Sequence, residues 1–191
     1  METTRRRFVS LLAALPLLGW MKPTRLALTP ACADADDEPT PAQTEGPYFK
    51  RQSPERSRLS EAGTTGTPIV LTGRVLDVTG KPVPGALLDW WHADDAGEYD
   101  NRGYRLRGHH FTDGGGRFRL ETIVPGLYPG RTRHFHVKVQ APNAPVLTTQ
   151  LYFPDEPGNR RDHIFNEKLL LALQPKADQP LTGAFTFVVR T

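Results

Sequence analysis

His134-Phe135-His136-Val137-Lys138-Val139-Gln140 is followed by Ala141-Pro142-Asn143 and then by Leu147-Thr148-Thr149-Gln150-Leu151-Tyr152-Phe153. This is a β-rich run, a turn signal and a second β-rich run, the signature of strands joined by a short connection. The same texture extends outward in both directions. Further β-rich runs occupy Ile69–Val78, Ala86–His92, Arg117–Ile123 and Ala184–Val189. Turn signals stand between them at Thr79-Gly80-Lys81-Pro82, Asp94-Asp95-Ala96-Gly97 and Asp113-Gly114-Gly115-Gly116. With 17 Gly and 18 Pro in 191 residues, the chain favours many short elements over long helices. The expected fold is all-β: an antiparallel β-sandwich over residues 67–191, with at most one short helix. Residues 162–174, which include Leu169-Leu170-Leu171 and Leu173, are the place expected for that helix.

Toward the N-terminus the composition changes. Residues 34–66 are rich in Pro, Thr, Asp, Glu, Ser and Gly, with little apolar periodicity, and read as an extended arm. Before them, Arg5-Arg6-Arg7, an apolar stretch from Leu11 to Met21 and Ala31-Cys32-Ala33 have the layout of a signal peptide. Thr4-Arg5-Arg6-Arg7-Phe8-Val9 resembles the twin-arginine export signal. The apolar stretch is only about half of the ~20 residues that span a bilayer, so residues 1–33 are expected to be cleaved rather than to anchor the protein. A periplasmic or secreted protein without membrane contact is the expectation.

Cleavage would change the charge and the cysteine content. The whole chain carries 24 basic and 21 acidic residues, a formal net charge of +3. Residues 1–33 hold five of the basic ones and one acidic one, which leaves 19 against 20, a net charge of −1. The basic balance therefore belongs to the leader and gives no argument for a nucleic-acid partner. Cys32, the single cysteine, leaves as well, so no disulfide is expected.

Within a strand, residues i and i+2 face the same side. His134 and His136 would thus converge on one face while Phe135 packs on the other. Such a pair can present two nitrogens to one metal; it can equally be two polar side chains on a solvated face. Two tyrosines lie in turns nearby in the sequence pattern: Tyr99 in Asp95-Ala96-Gly97-Glu98-Tyr99-Asp100 and Tyr128 in Pro125-Gly126-Leu127-Tyr128-Pro129-Gly130. Either alone is as well explained by core packing with the hydroxyl at the surface. Two imidazoles with two phenols, however, suit ferric iron, a hard cation that favours anionic oxygen and lowers a phenol pKa. Softer metals would call for Cys, and calcium or magnesium for carboxylates.

An ordered series of motifs now carries a family resemblance. Thr44-Glu45-Gly46-Pro47-Tyr48-Phe49, Gly73-Arg74-Val75, Pro82-Val83-Pro84-Gly85-Ala86, Asp89-Trp90-Trp91-His92-Ala93 and Gly97-Glu98-Tyr99 come first. Phe111-Thr112-Asp113, Gly116-Arg117-Phe118, Thr122-Ile123-Val124-Pro125-Gly126 and Tyr128 follow. The series ends with Arg131-Thr132-Arg133-His134-Phe135-His136 and Thr149-Gln150-Leu151-Tyr152-Phe153. The chain resembles the intradiol ring-cleavage dioxygenases, represented by protocatechuate 3,4-dioxygenase and catechol 1,2-dioxygenase.

The resemblance implies non-heme Fe(III) held by Tyr99, Tyr128, His134 and His136, with Tyr128 as the labile axial ligand. Arg131 would be the active-site guanidinium and Gln150 a supporting or substrate-facing amide; Arg133 does not match the motif position. The implied reaction is cleavage of a catechol-type ring by O2 to a muconate-type dicarboxylic acid, with both oxygen atoms incorporated. The interval from Tyr128 to His134 is shorter than in well-known members, so part of one pocket wall is expected to be missing. Since only a short arm precedes the sandwich, the helical dimerisation region of catechol 1,2-dioxygenases is not expected here. The resemblance therefore fixes neither the particular catechol nor the oligomeric state, though a homo-oligomer is compatible with it. Two other classes stay open. One is a non-catalytic sandwich that binds carbohydrate or protein on a platform of Trp90, Trp91 and Tyr104. The other is a Zn or Cu site on His134, His136 and one of His92, His109, His110 or His163, with His109 and His110 read as structural or rim residues.

Overall fold

The computed structural model describes residues 38–174 and 180–191; the expected leader over residues 1–33 lies outside the described residues. Among the described residues eight strands are formed: β1 (Pro68–Asp77), β2 (Leu87–Trp91), β3 (Arg107–Phe111), β4 (Arg117–Ile123), β5 (His134–Gln140), β6 (Leu147–Tyr152), β7 (Ala172–Gln174) and β8 (Leu181–Val189). They make two four-stranded sheets, ordered β4-β1-β8-β7 and β3-β2-β5-β6. All pairings are antiparallel except β1 with β8, which is parallel.

Alternation along the strands builds the core. Leu88 and Trp90 of β2, Phe135, Val137 and Val139 of β5, and Leu151 of β6 are all fully buried between the sheets. Ile69, Leu71 and Val75 of β1, Phe118 and Leu120 of β4, and Phe187 of β8 meet them from the other sheet. The outer face of the β3-β2-β5-β6 sheet receives the intervening residues. There Trp91 pairs across to His136, His136 to Gln150, and His134 to Tyr152. Trp90 and Trp91 thus point to opposite faces, and both are buried. Consecutive strand residues cannot share a face, so the Trp90-Trp91-Tyr104 platform does not exist.

Residues 38–66 form no helix and only isolated bridges. Their course covers sheet edges that would otherwise offer unpaired backbone groups. Ser57 and Leu59 bond to Glu121 on the β4 edge, while Pro54 and Arg56 bond to His109 on the β3 edge. At the opposite margin the Gln43 N–H donates to Thr148 O of the β6 edge, and the Thr40 N–H donates to Val188 O.

The helix expected over 162–174 is not formed. A 3-10 turn spans Glu167–Leu169, and a second spans Pro157–Arg160. The leucines alternate instead of following a helical period: Leu169 and Leu171 are buried and Leu170 is not. The Leu171 N–H donates to Tyr152 O, which draws this stretch onto β6 rather than into a helix. Among the described residues no helix is long and apolar enough to cross a membrane.

Buried histidines make the metal-free fold acid-sensitive, and two of them lie away from the proposed metal centre. Burial pushes both His92 and His110 down to about 4. His92 bridges Ala93 O and the Thr122 hydroxyl, whereas among the described residues neither nitrogen of His110 has a partner. Below about pH 6.5 the unfolded chain takes up protons that the folded one refuses. Their stabilisation is therefore complete above pH 6.5 and is lost as the pH falls toward 4, on the order of 3 kcal/mol for each histidine. Urea midpoints of metal-free protein should fall between pH 7 and pH 5, and less steeply in His110→Leu. An unchanged slope in that variant would contradict the assignment.

Candidate metal centre

Because Phe135 and Val137 turn inward, His134 and His136 of β5 must turn outward. Their Nε2 atoms stand 3.1 Å apart. The Nδ1–H of His134 donates to Thr132 O at 2.6 Å, which leaves the Nε2 lone pair available. The His136 ring stacks on Trp91 with centroids 4.8 Å apart, and among the described residues its buried Nδ1 has no partner. Burial pushes His134 down to about 4, with help from the Arg131 charge. Burial, then His134 and Arg131, push His136 well below the usual range. Both imidazoles are thus neutral, the form that ligates metals.

Tyr99 follows β2 in a turn organised by Asp94, whose carboxylate accepts the Ala96 and Glu98 N–H groups. Its hydroxyl lies 3.4 Å from His134 Nε2. Burial raises the Tyr99 pKa, although Arg131 and Arg107 oppose this. The phenol therefore keeps its proton until a cation displaces it. Tyr128 lies across from Tyr99, ring centroids 5.9 Å apart, on the loop that leads from β4 to β5. The two tyrosine loops are joined by the Gly126 N–H, which donates to Asp94 O at 2.6 Å.

A third phenol comes from the arm. Tyr48 stacks on Tyr99 with centroids 4.4 Å apart, and its hydroxyl lies 2.8 Å from that of Tyr128. That hydrogen bond, followed by burial, raises the Tyr48 pKa. Tyr48 was not among the expected site residues, although it stands inside the Thr44–Phe49 motif. Arg107 of β3 was also missed. It is fully buried, donates to Tyr48 O at 2.6 Å and to Asp100 O at 3.1 Å, and so clamps the arm onto the Tyr99 loop.

Arg131 and Gln150 meet each other beside the histidines. Arg131 Nη2 donates to Gln150 Oε1 at 2.6 Å, and Gln150 Nε2 donates to Thr44 O at 2.9 Å. Arg133 faces elsewhere and pairs with Glu156 at 2.6 Å.

The donor set fits a ferric ion. Two nitrogens 3.1 Å apart suit a shared cation with bonds of about 2.1 Å at a right angle, and the phenols add hard oxygen donors. Among the described residues no cluster of three His, Cys, Asp or Glu is formed. His92 packs edge-on to Phe135, His109 bonds Ser53, His110 lies beside Phe118, and His163 is exposed. The Zn or Cu alternative thus lacks its third histidine.

Residues 44–190 match the family model described as Dioxygenase. Hydroxyquinol 1,2-dioxygenase of Rhizobium sp. (strain MTP-10005) is 31% identical over 149 residues, covering 64% of this chain and 50% of that protein. The chain spans about half the length of the curated relatives it matches. A solved dioxygenase domain, from a dioxygenase carbohydrate-binding protein fusion of the cellulolytic bacterium Streptomyces sp. SirexAA-E, is 52% identical. It has a TM-score of 0.78 and covers 81% of this chain and 99% of that chain. 3-Chlorocatechol 1,2-dioxygenase from Rhodococcus opacus 1CP is 31% identical with a TM-score of 0.73, covering 78% of this chain and 71% of that chain. The family match takes in every strand and every residue of the proposed centre, and the chain belongs to the intradiol ring-cleavage dioxygenases.

Proposed function

We propose that the protein is an Fe(III)-dependent enzyme that opens a catechol-type ring with O2 to give a muconate-type dicarboxylic acid. The observation that carries this reading is the buried pair of Nε2 atoms 3.1 Å apart, with the Tyr99 hydroxyl 3.4 Å from one of them. Tyr99, Tyr128, His134 and His136 would hold the ion. When bound, ferric iron supplies a Lewis acid that draws electron density from a catecholate and opens its ring to O2.

The chain's own groups do the rest. Tyr128, half-buried on the loop between β4 and β5, would help to hold the ion and would accept a substrate proton at its Oη. Tyr48 Oη, 2.8 Å from Tyr128 Oη, would hydrogen-bond the protonated phenol. Trp91 and Tyr48 back the site with apolar surface, which strengthens electrostatic effects within it. The Arg131 guanidinium would stabilise negative charge developing on the ring. Leu127, largely exposed next to Tyr128, offers an apolar lip on the side where the connection to β5 is short. Thr4-Arg5-Arg6-Arg7-Phe8-Val9 supports export by the twin-arginine route after folding.

Iron-loaded protein should show a tyrosinate-to-Fe(III) visible band that shifts on adding catechol, with O2 consumed and a ring-opened diacid formed. Oxygen uptake across catechol, protocatechuate, hydroxyquinol and larger lignin-derived catechols would identify the substrate. A colourless, iron-free protein after careful iron supply would sink the proposal.

A further inference from the structure

The chain beyond β6 contributes a buried carboxylate to the site. Asp162 follows the 3-10 turn at Pro157–Arg160, and its side chain is 1% exposed. A carboxylate so placed must be paired, since an uncompensated buried charge is costly. Its Oδ2 accepts the Arg131 Nε–H at 2.8 Å and the Thr132 N–H at 3.0 Å. Its Oδ1 accepts the Ile164 N–H at 3.2 Å. Burial works to raise the Asp162 pKa, but the bonds from Thr132 and Arg131 outweigh it and the net shift is downward. The turn itself is seated on the start of β5, because Thr132 Oγ1 donates to Asn159 Oδ1 at 2.6 Å.

The guanidinium is a planar fork, so fixing one edge fixes the direction of the others. Asp162 holds Nε and Gln150 holds Nη2. Gln150 is itself fixed, by Tyr152 Oη at 3.1 Å and by Thr44 O at 2.9 Å. Among the described residues Nη1 has no hydrogen-bond partner in the protein, and the Arg131 side chain keeps 16% of its surface exposed. We propose that Asp162 is a positioning residue: it holds Arg131 by its Nε edge so that Nη1 is left for the charge that develops on the ring. This rests on the role given to Arg131 in the proposed function. Among the described residues the Asp162 carboxylate bonds to Arg131, Thr132 and Ile164, none of which is a proposed ligand.

The test uses iron-loaded full-length protein and the variants Asp162→Ala, Arg131→Ala and the double variant. Each single change should lower kcat per bound iron roughly 100-fold, the scale of a misplaced catalytic group, with KM changed far less. The double variant should be no slower than Arg131→Ala, because one residue acts through the other. Asp162→Asn, which keeps an acceptor for Nε, should recover part of the rate and serves where the Ala variant does not fold. In metal-free protein the Arg131 Nε–H proton should exchange slowly in wild type and rapidly in Asp162→Ala. Losses that multiply in the double variant would overturn the proposal. So would an Asp162→Ala protein that loses iron or thermal stability yet keeps wild-type kcat per bound iron. A wild-type protein that bound no iron would instead defeat the proposed function, while the Nε–H exchange would still report the clamp.

Discussion

His136→Ala is expected to abolish iron retention and ring cleavage while leaving the metal-free protein folded. Among the described residues the buried Nδ1 of the imidazole has no hydrogen-bond partner, and its desolvation disfavours the charged form. Removing it leaves Trp91 without its stacked neighbour but disturbs no backbone pairing of β5. Its proposed contribution lies in Nε2, 3.1 Å from that of His134. Loss of an outer partner costs a metal site roughly 10- to 100-fold in affinity, and loss of a direct ligand should cost more. The expected result is therefore a colourless protein with background oxygen uptake and a urea midpoint close to that of metal-free wild type. Full iron content with undiminished turnover in His136→Ala would show that the ligand assignment is wrong.

The strand that carries this histidine was legible because its period is complete. His134–Gln140 was expected as a strand and forms over those bounds, and Arg117–Ile123 behaves likewise. β3 was not legible: Arg107-Gly108-His109-His110-Phe111 has no apolar alternation, and its edge is covered by Pro54 and Arg56 of the arm. β7 is only three residues long and is held by pairing with β8. Nor does local sequence declare that β8 runs parallel to β1, since that pairing joins residues from the two ends of the sandwich. The site divides in the same way. An i, i+2 histidine pair can be read from a strand, and the order of motifs marks Tyr99 and Tyr128. The approach of Tyr48, the burial of Arg107 and the pairing of Asp162 with Arg131 are products of long-range packing. No local pattern in the sequence distinguishes Asp162 from a surface aspartate.

Gly97→Ala should reach the centre without touching a ligand. Gly97 has a φ of +87°, and a Cβ there would stand 2.2 Å from Leu127 O. Across the contact, a Cβ on Gly126 would stand 2.4 Å from Gly97 N. The two tyrosine loops are thus pressed backbone to backbone through a pair of glycines. The obstacle is a carbonyl rather than the end of a flexible side chain, so one loop has to move. Tyr99 is two residues from Gly97, and Tyr128 is next to Leu127, so a displaced loop carries a phenol with it. The core between the sheets does not include these residues, and the variant should still fold, with the added strain of a side chain at positive φ. Turnover should fall by roughly 100-fold or more, since displacements of about 1 Å have that effect on a catalytic geometry. The tyrosinate-to-iron band should shift in parallel. Gly114→Ala is the matched control: a Cβ there meets nothing within 4 Å and its φ is not in the left-handed range. If Gly97→Ala kept the wild-type band and rate, the glycine contact would not be what sets the separation of the two phenols.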